Sequence, residues 1–159
     1  MKKKFFFLVN IDSFLVSHRL QIAKSLLLKG YEVHIATEYT KYKGKLKKMG
    51  FHTHNIKFNR NSMNLISMFT SLVQIYILFK KIKPNIVHLI SLKPIFLGGL
   101  LSFFSPIKSV VISITGLGSM FLGKGFLFRF RIIIINLIYR IIFLYPDQKV
   151  ILQNDYDKN

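Results

Sequence analysis

The chain alternates short, continuous apolar runs with longer stretches whose apolar residues recur at helical spacing. Residues 5–9 (FFFLV) are apolar without a break between Lys4 and Asn10, which predicts a strand buried on both faces. Ser17 stands where a cap belongs for a helix running to Lys29, with Ile22, Ala23, Leu26 and Leu27 on one side and Gly30 as its stop. Residues 31–37 read as a second strand, 41–49 as a short basic helix closed by Gly50, and 51–56 as a third, weaker strand. Between 64 and 83 the helical period returns, and Ser67, Ser71, Gln74 and Lys81 fall on its polar face. Pro84 ends that helix, and 86–90 (IVHLI) form a fourth strand. Residues 94–104 predict a helix weakened by Gly98-Gly99, 110–115 a fifth strand, 126–144 a long helix, and 149–152 a sixth strand. On that last helix Arg129, Asn136 and Arg140 lie near one face.

Strands alternating with helices throughout imply one α/β domain over residues 1–159: a Rossmann-like parallel sheet of about six strands with helices on both faces. No repeat, low-complexity linker or second domain interrupts the pattern. Such a fold gathers ligands at the carboxyl ends of its strands, where loops lead into helix N-termini. The residues to weigh are therefore 10–17, 91–93, 115–119 and Asn154.

Composition narrows the class. A 51% hydrophobic and 19% charged chain excludes intrinsic disorder, and the absence of cysteine excludes disulfide scaffolds and zinc-thiolate sites. Charge is the outlier, with 24 Lys and Arg against 6 Asp and Glu for a net +18. No acid occurs between Glu38 and Asp147. That field suits nucleic acid, an anionic membrane surface or phosphorylated ligands, while compositional drift towards Lys, Ile, Phe and Asn is the bland alternative. Nucleic acid is disfavoured, because the aromatics sit in apolar runs and do not interleave with Lys and Arg. Lys41, Lys43, Lys45, Lys47 and Lys48 crowd one helix region, either as a membrane-facing cluster or as a solvated face. The run at 5–9 is shorter than the roughly 7 residues of the briefest secretory core, and 132–145, broken by Asn136 and Arg140, falls short of the ~20 that cross a bilayer. A cytoplasmic protein, peripheral on the inner membrane face, is expected.

The candidate chemistry is sparse. The loop from Asn10 through Asp12 and Ser13 lacks G-x-G-x-x-G, which argues against a nicotinamide or flavin enzyme. His18 and Arg19 are expected to open a helix, where they either contact a phosphate or sugar hydroxyl or stay at the surface. Asp12 either accepts from sugar hydroxyls or is a solvated loop acid, and with no second carboxylate nearby glycosidase chemistry has no support. His34, His52, His54 and His88 show no metal spacing, and His34 and His88 read as core or sheet-edge histidines. The loop Thr115-Gly116-Leu117-Gly118-Ser119 either lets a ligand approach the backbone or makes a tight turn.

The blocks SHRLQIAKSLLLKGYEVHIAT, PNIVHLISLKP, ISITGLGSMF and KVILQNDYDKN resemble the amino-terminal domain of family 4 glycosyltransferases of the GT-B fold. The resemblance covers essentially the whole chain, and its look-alikes extend lipid-linked oligosaccharides for bacterial surface polysaccharides or protein glycans. It implies an acceptor-side, membrane-facing domain. A carboxyl-terminal domain absent from this chain would bind the nucleotide-sugar, and no cofactor or metal would be needed. By motif match His18 would act at the catalytic end of the cleft. Asn10, Asp12, Ser13, Arg19, Lys93, Thr115, Gly116, Gly118 and Asn154 would line the substrate side. The implied partners are a nucleotide-sugar, a polyprenyl-diphosphate-linked glycan acceptor, an anionic membrane and a separate chain carrying the donor domain, and the isolated chain is expected to be inactive. The loop 10–17 departs from the family in lacking a glycine pair. A non-catalytic basic binding module and half of a GT-B sugar epimerase are the alternatives.

Overall fold

A computed structural model describes residues 2–58, 65–114, 133, 136, 137 and 139–152. Six strands, β1 (Lys4–Ile11), β2 (Glu32–Glu38), β3 (His52–Asn55), β4 (Ile86–Ile90), β5 (Ser109–Ile114) and β6 (Gln148–Leu152), form one sheet in the order β3-β2-β1-β4-β5-β6. Every pairing is parallel. The Rossmann-like α/β architecture expected from the alternation is therefore the observed one. β1 lies at the centre, with Phe6, Phe7, Leu8 and Val9 fully buried, as its unbroken apolar run requires.

Strand parity divides the core in two. Phe5, Phe7 and Val9 pack with Val33, Ile35, Leu15 of α1 (Asp12–His18), Ala23 of α2 (Leu20–Leu28) and Leu46 of α3 (Lys43–Lys48). Phe6 and Leu8 point the other way. They join Val87, Leu89 and Ile112 beneath Ile75 and Phe79 of α4 (Leu65–Ile82) and Ile95, Leu97 and Leu101 of α5 (Leu92–Ser102).

Three expectations are corrected. The helix foreseen to start at Ser17 begins at Asp12, directly off β1, and breaks at Arg19 (φ −129°, ψ −1°) into α1 and α2. Ser17 caps nothing; its hydroxyl donates back to the carbonyls of Ser13 and Phe14. Ser71, assigned to an outward polar face of α4, is buried, and its hydroxyl donates to the Lys57 carbonyl at 2.7 Å and the Ser67 carbonyl at 2.9 Å. Gly98-Gly99 is a site of close packing in α5. A Cβ at Gly98 would stand 2.6 Å from Leu89 Cδ2 and 2.7 Å from Leu8 Cδ2, and one at Gly99 would stand 2.9 Å from Ile142. The lost helix propensity is offset by the close approach of α5 to the sheet and to the helical turn at 139–142. Most of the long helix foreseen over 126–144 lies outside the described residues.

Candidate functional site

From β1 the chain leads to β2 on one side of the sheet, whereas β4 and β5 lie on the other. This reversal opens a crevice between the carboxyl ends of β1 and β4. The N-terminus of α1 follows β1 and that of α5 follows β4, so backbone N–H groups and the positive ends of two helix dipoles border the crevice. Ser91, the single residue between β4 and α5, takes φ +74°, left-handed strain that a non-glycine side chain rarely accepts. Its backbone N–H lies 3.3 Å from the Ser113 carbonyl, and its own carbonyl accepts from Ile95 to start the helix. The abrupt strand-to-helix turn thus puts the first turn of α5 at the sheet's edge.

Asp12 opens α1 and is completely buried. Its carboxylate accepts four hydrogen bonds from the loop after β2: Thr40 N (3.0 Å), Thr40 Oγ1 (2.7 Å), Lys41 N (3.1 Å) and Tyr42 N (2.8 Å). Burial pushes this carboxyl up, but the four donors outweigh it and leave its pKa below the ordinary 3.8. Its oxygens are taken up in tethering a loop. Sequence reasoning missed this because the donors lie about thirty positions further along the chain.

Lys93 likewise works inside the fold. Its ammonium donates to the Phe58 carbonyl at 3.0 Å, while Glu38 Oε2 accepts from the Phe58 N–H at 3.3 Å. The two side chains hold the segment after β3 against the carboxyl edge of the sheet. Burial lowers the Lys93 pKa, and the nearby Glu38 charge opposes that shift.

His18 and Arg19 separate. His18 ends α1 and does not open a helix; it is exposed, stacks on Phe14 (centroids 4.4 Å apart, 11° between planes), and has Nδ1 2.6 Å from Ser17 Oγ. Arg19 is the half-buried link between α1 and α2, and burial pulls its pKa down. Its Nη1 donates to the His18 carbonyl at 3.2 Å, whereas its buried Nε finds no hydrogen-bond partner. At the end of β1, the buried Oδ1 of Asn10 has none either. Buried polar atoms without a protein partner are the exception in folded proteins, and these two lie where β1 leads into α1 and where α1 gives way to α2. Ser13 lies in the first turn of α1, half-buried.

His88 and Ser113 form a buried pair that sequence reasoning did not connect to the site. His88 Nε2 lies 2.7 Å from Ser113 Oγ, and the ring contacts Phe7. Burial first, and the charge of Arg19 second, push the imidazole down to about 3, so it is neutral at ordinary pH. The signal was available in strand parity. His88 shares the inward face of Phe7, and the register Ile90↔Ser113 puts Ser113 on the neighbouring strand of that face. Thr115, Gly116, Gly118 and Asn154 lie outside the described residues. The lysines at 41, 43, 45, 47 and 48 are all exposed in and just before α3.

At the opposite edge of the sheet, His34 Nε2 lies 2.8 Å from Glu32 Oε1, and His34 Nδ1 lies 3.0 Å from His54 Nε2. Burial holds the His54 pKa down at about 4 and lowers that of His34. These rings are sheet-edge packing, stacked on Phe6 and each other, and among the described residues no three such side chains are disposed to hold a metal ion.

A crevice of this kind, in a parallel sheet with the order 3-2-1-4-5-6, occurs in many nucleotide- and sugar-handling proteins, so the family has to come from comparison. The family model described as "Glycosyl transferase 4-like" matches residues 4–154. The chain belongs to that family. Its fold is that of GT-B glycosyltransferases. A glycosyltransferase from Rickettsia africae is similar at TM-score 0.58 and 19% identity, over 70% of this chain and 29% of that one. MurG of Acinetobacter baumannii is similar at TM-score 0.59 and 17% identity, over 96% of this chain and 45% of its own. A UDP-N-acetylglucosamine 2-epimerase shares the architecture at TM-score 0.50 and 23% identity, over 74% of this chain and 34% of that one. The chain thus spans less than half the length of the solved structures it resembles. No curated protein matches it.

Proposed function

We propose that this chain is the acceptor-side domain of a glycosyltransferase that moves a sugar from a nucleotide-sugar to a polyprenyl-diphosphate-linked glycan in surface polysaccharide or glycan biosynthesis. The observation that carries the reading is the crevice between β1 and β4. Two helix N-termini follow the strands that border it, and Arg19, whose charge acts on His88 of β4, has a buried Nε without a hydrogen-bond partner. Such a site favours a diphosphate, because backbone N–H groups and a planar guanidinium can share its charge. Family membership supports the reaction class. A second domain, on a separate chain or a longer product, supplies the nucleotide-sugar, and the reaction runs in the cytoplasm at the inner membrane face. His18, at the exposed end of α1, is the side chain on this domain for proton transfer at the acceptor, and the chain by itself transfers no sugar.

The test is binding of farnesyl diphosphate, a short soluble stand-in for the acceptor, followed by calorimetry on the purified chain. Arg19→Ala should weaken binding by about tenfold, or ~1.4 kcal/mol. Lys29→Ala, at the far end of α2, should change nothing. No binding by the unsubstituted chain, or equal losses in the two variants, would refute the crevice as a diphosphate site.

A further inference from the structure

Three groups compete for one hydroxyl proton at the end of α1. Ser17 Oγ lies 2.9 Å from the Ser13 carbonyl oxygen, 3.2 Å from that of Phe14 and 2.6 Å from His18 Nδ1. A carbonyl oxygen only accepts, whereas an imidazole nitrogen donates or accepts according to its tautomer. With the hydroxyl proton turned to His18, two carbonyl oxygens would face the serine oxygen with no hydrogen between them. With the proton turned back along the helix, the usual habit of a serine at this spacing, the lone pairs of Oγ are left for the ring. The short contact to Nδ1 is then a hydrogen bond only if Nδ1 carries the proton. The surroundings of Ser17 therefore select one neutral form of His18, with a proton on Nδ1 and a bare lone pair on Nε2. The residue is also held in place. Its ring stacks on Phe14 with centroids 4.4 Å and planes 11° apart, and its carbonyl accepts from Arg19 Nη1 at 3.2 Å, where α1 breaks from α2. His18 is exposed, and among the described residues its Nε2 makes no hydrogen bond.

We infer that Ser17 is a positioning residue for His18. It keeps the imidazole a hydrogen-bond acceptor at Nε2, so that the group this ring takes is a hydroxyl of the glycan acceptor and not a phosphate. A hydroxyl donates to the lone pair, whereas an ionised phosphate oxygen has no proton to give. Charge and hydroxyl are thus divided between neighbours, the diphosphate to Arg19 and the hydroxyl to His18. The inference rests on the proton transfer assigned to His18 above. In that step the hydroxyl proton passes to Nε2 as the hydroxyl oxygen bonds to the anomeric carbon of the donor sugar. The nucleoside diphosphate leaves with the electron pair of the bond that breaks, and the imidazolium then releases its Nε2 proton to water. Nδ1 donates to Ser17 throughout, so one hydrogen bond serves both the neutral ring and the cation.

The test is two-bond proton–nitrogen correlation of the histidine rings in the isotope-labelled 159-residue chain at pH ~8.5, above the ordinary imidazole range. The His18 signals are those lost in His18→Gln. The unsubstituted chain and Ser17→Thr should hold the ring mainly as the Nδ1–H form. Ser17→Ala should turn it towards the Nε2–H form that free imidazole side chains favour, a change of about fivefold in the ratio of the two for one net hydrogen bond. A ring that carries its proton mainly on Nε2 in the unsubstituted chain overturns the inference, and so does a ratio that Ser17→Ala leaves unchanged. Adding farnesyl diphosphate should leave the Nδ1–H form in place. A proton drawn onto Nε2 by that addition would make the ring a phosphate ligand and overturn the inference too. If farnesyl diphosphate fails to bind the unsubstituted chain while the tautomer reverses as expected, the crevice reading falls and Ser17's control of the ring stands. If it binds and the tautomer does not reverse, the inference falls alone. Ser17 is exposed, so equal melting temperatures in the variants show that the ring answers to the hydroxyl and not to unfolding of α1.

Discussion

The two faces of the sheet are finished differently. On the face of α1, α2 and α3, polar groups turn inward and are used: Asp12 holds the loop after β2, and His88 holds Ser113. The outside of that face is wet and rich in lysine. On the face of α4 and α5 the inside is a larger core, with α5 brought close by Gly98 and Gly99. There the small polar Ser71 lies within beside Ile75 and Phe79, while Phe69, Tyr76 and Ile77 lie without. A face whose outer surface is polar is complete in water. The α4 face leaves large apolar side chains in water, and the contrast shows that helical period alone does not tell which side of an all-round apolar helix meets the core.

The acid limit of stability is the strongest way to divide the two faces. His88 belongs to the first face, with a folded pKa near 3, and His54 and His34 to the second, with His54 near 4. In each case the folded value is depressed, so the unfolded chain takes up a proton that the folded chain refuses. Stability is therefore full above pH ~6.5 and falls below it by about 1.4 kcal/mol per pH unit for each histidine, until the pH reaches the folded value. Urea titrations at pH 7 and 4.5 should show a loss of several kcal/mol. His88→Leu should remove about one proton's share of that slope while the His34–His54 share remains. An unchanged slope in His88→Leu would mean that this buried ring is not held neutral.

Asp12→Ala comes next. It strands three backbone N–H groups and the Thr40 hydroxyl in a buried place, and should cost about 3 kcal/mol. Amide exchange at Thr40, Lys41 and Tyr42 should rise before the rest of the first face opens. Because the Asp12 pKa is depressed, the charge contributes above pH ~3.8 and is lost only as the pH falls further, beyond most of the histidine window. Retained protection of those three amides in Asp12→Ala would show that the loop does not depend on the carboxylate.

The strands and the order of elements were legible because continuous apolar runs have few other uses, and residues 5–9, 86–90 and 110–114 lie in the strands they predict. The site was less so. Asp12 and Lys93 have the residue types of ligand contacts, but their partners lie in loops that only the closed sheet brings near. The break at Arg19 has no glycine or proline to announce it. The α4 orientation was hidden because apolar residues ring most of that helix, so its period fixed a helix without fixing which side faces the core.

The smallest expected effect bears on that orientation most directly. Ser71→Ala removes a buried hydroxyl that donates to two carbonyls and should cost about 1 kcal/mol. Ile77→Ser removes a far larger apolar side chain, yet one that is more than half exposed, and should change stability by no more than ~0.5 kcal/mol. In an ordinary amphipathic helix the ranking would be the reverse, with the isoleucine in the core and the serine in water. Chemical denaturation of the two single variants decides between the arrangements. A loss above 2 kcal/mol in Ile77→Ser, with Ser71→Ala silent, would turn α4 around on the sheet and leave the two faces alike.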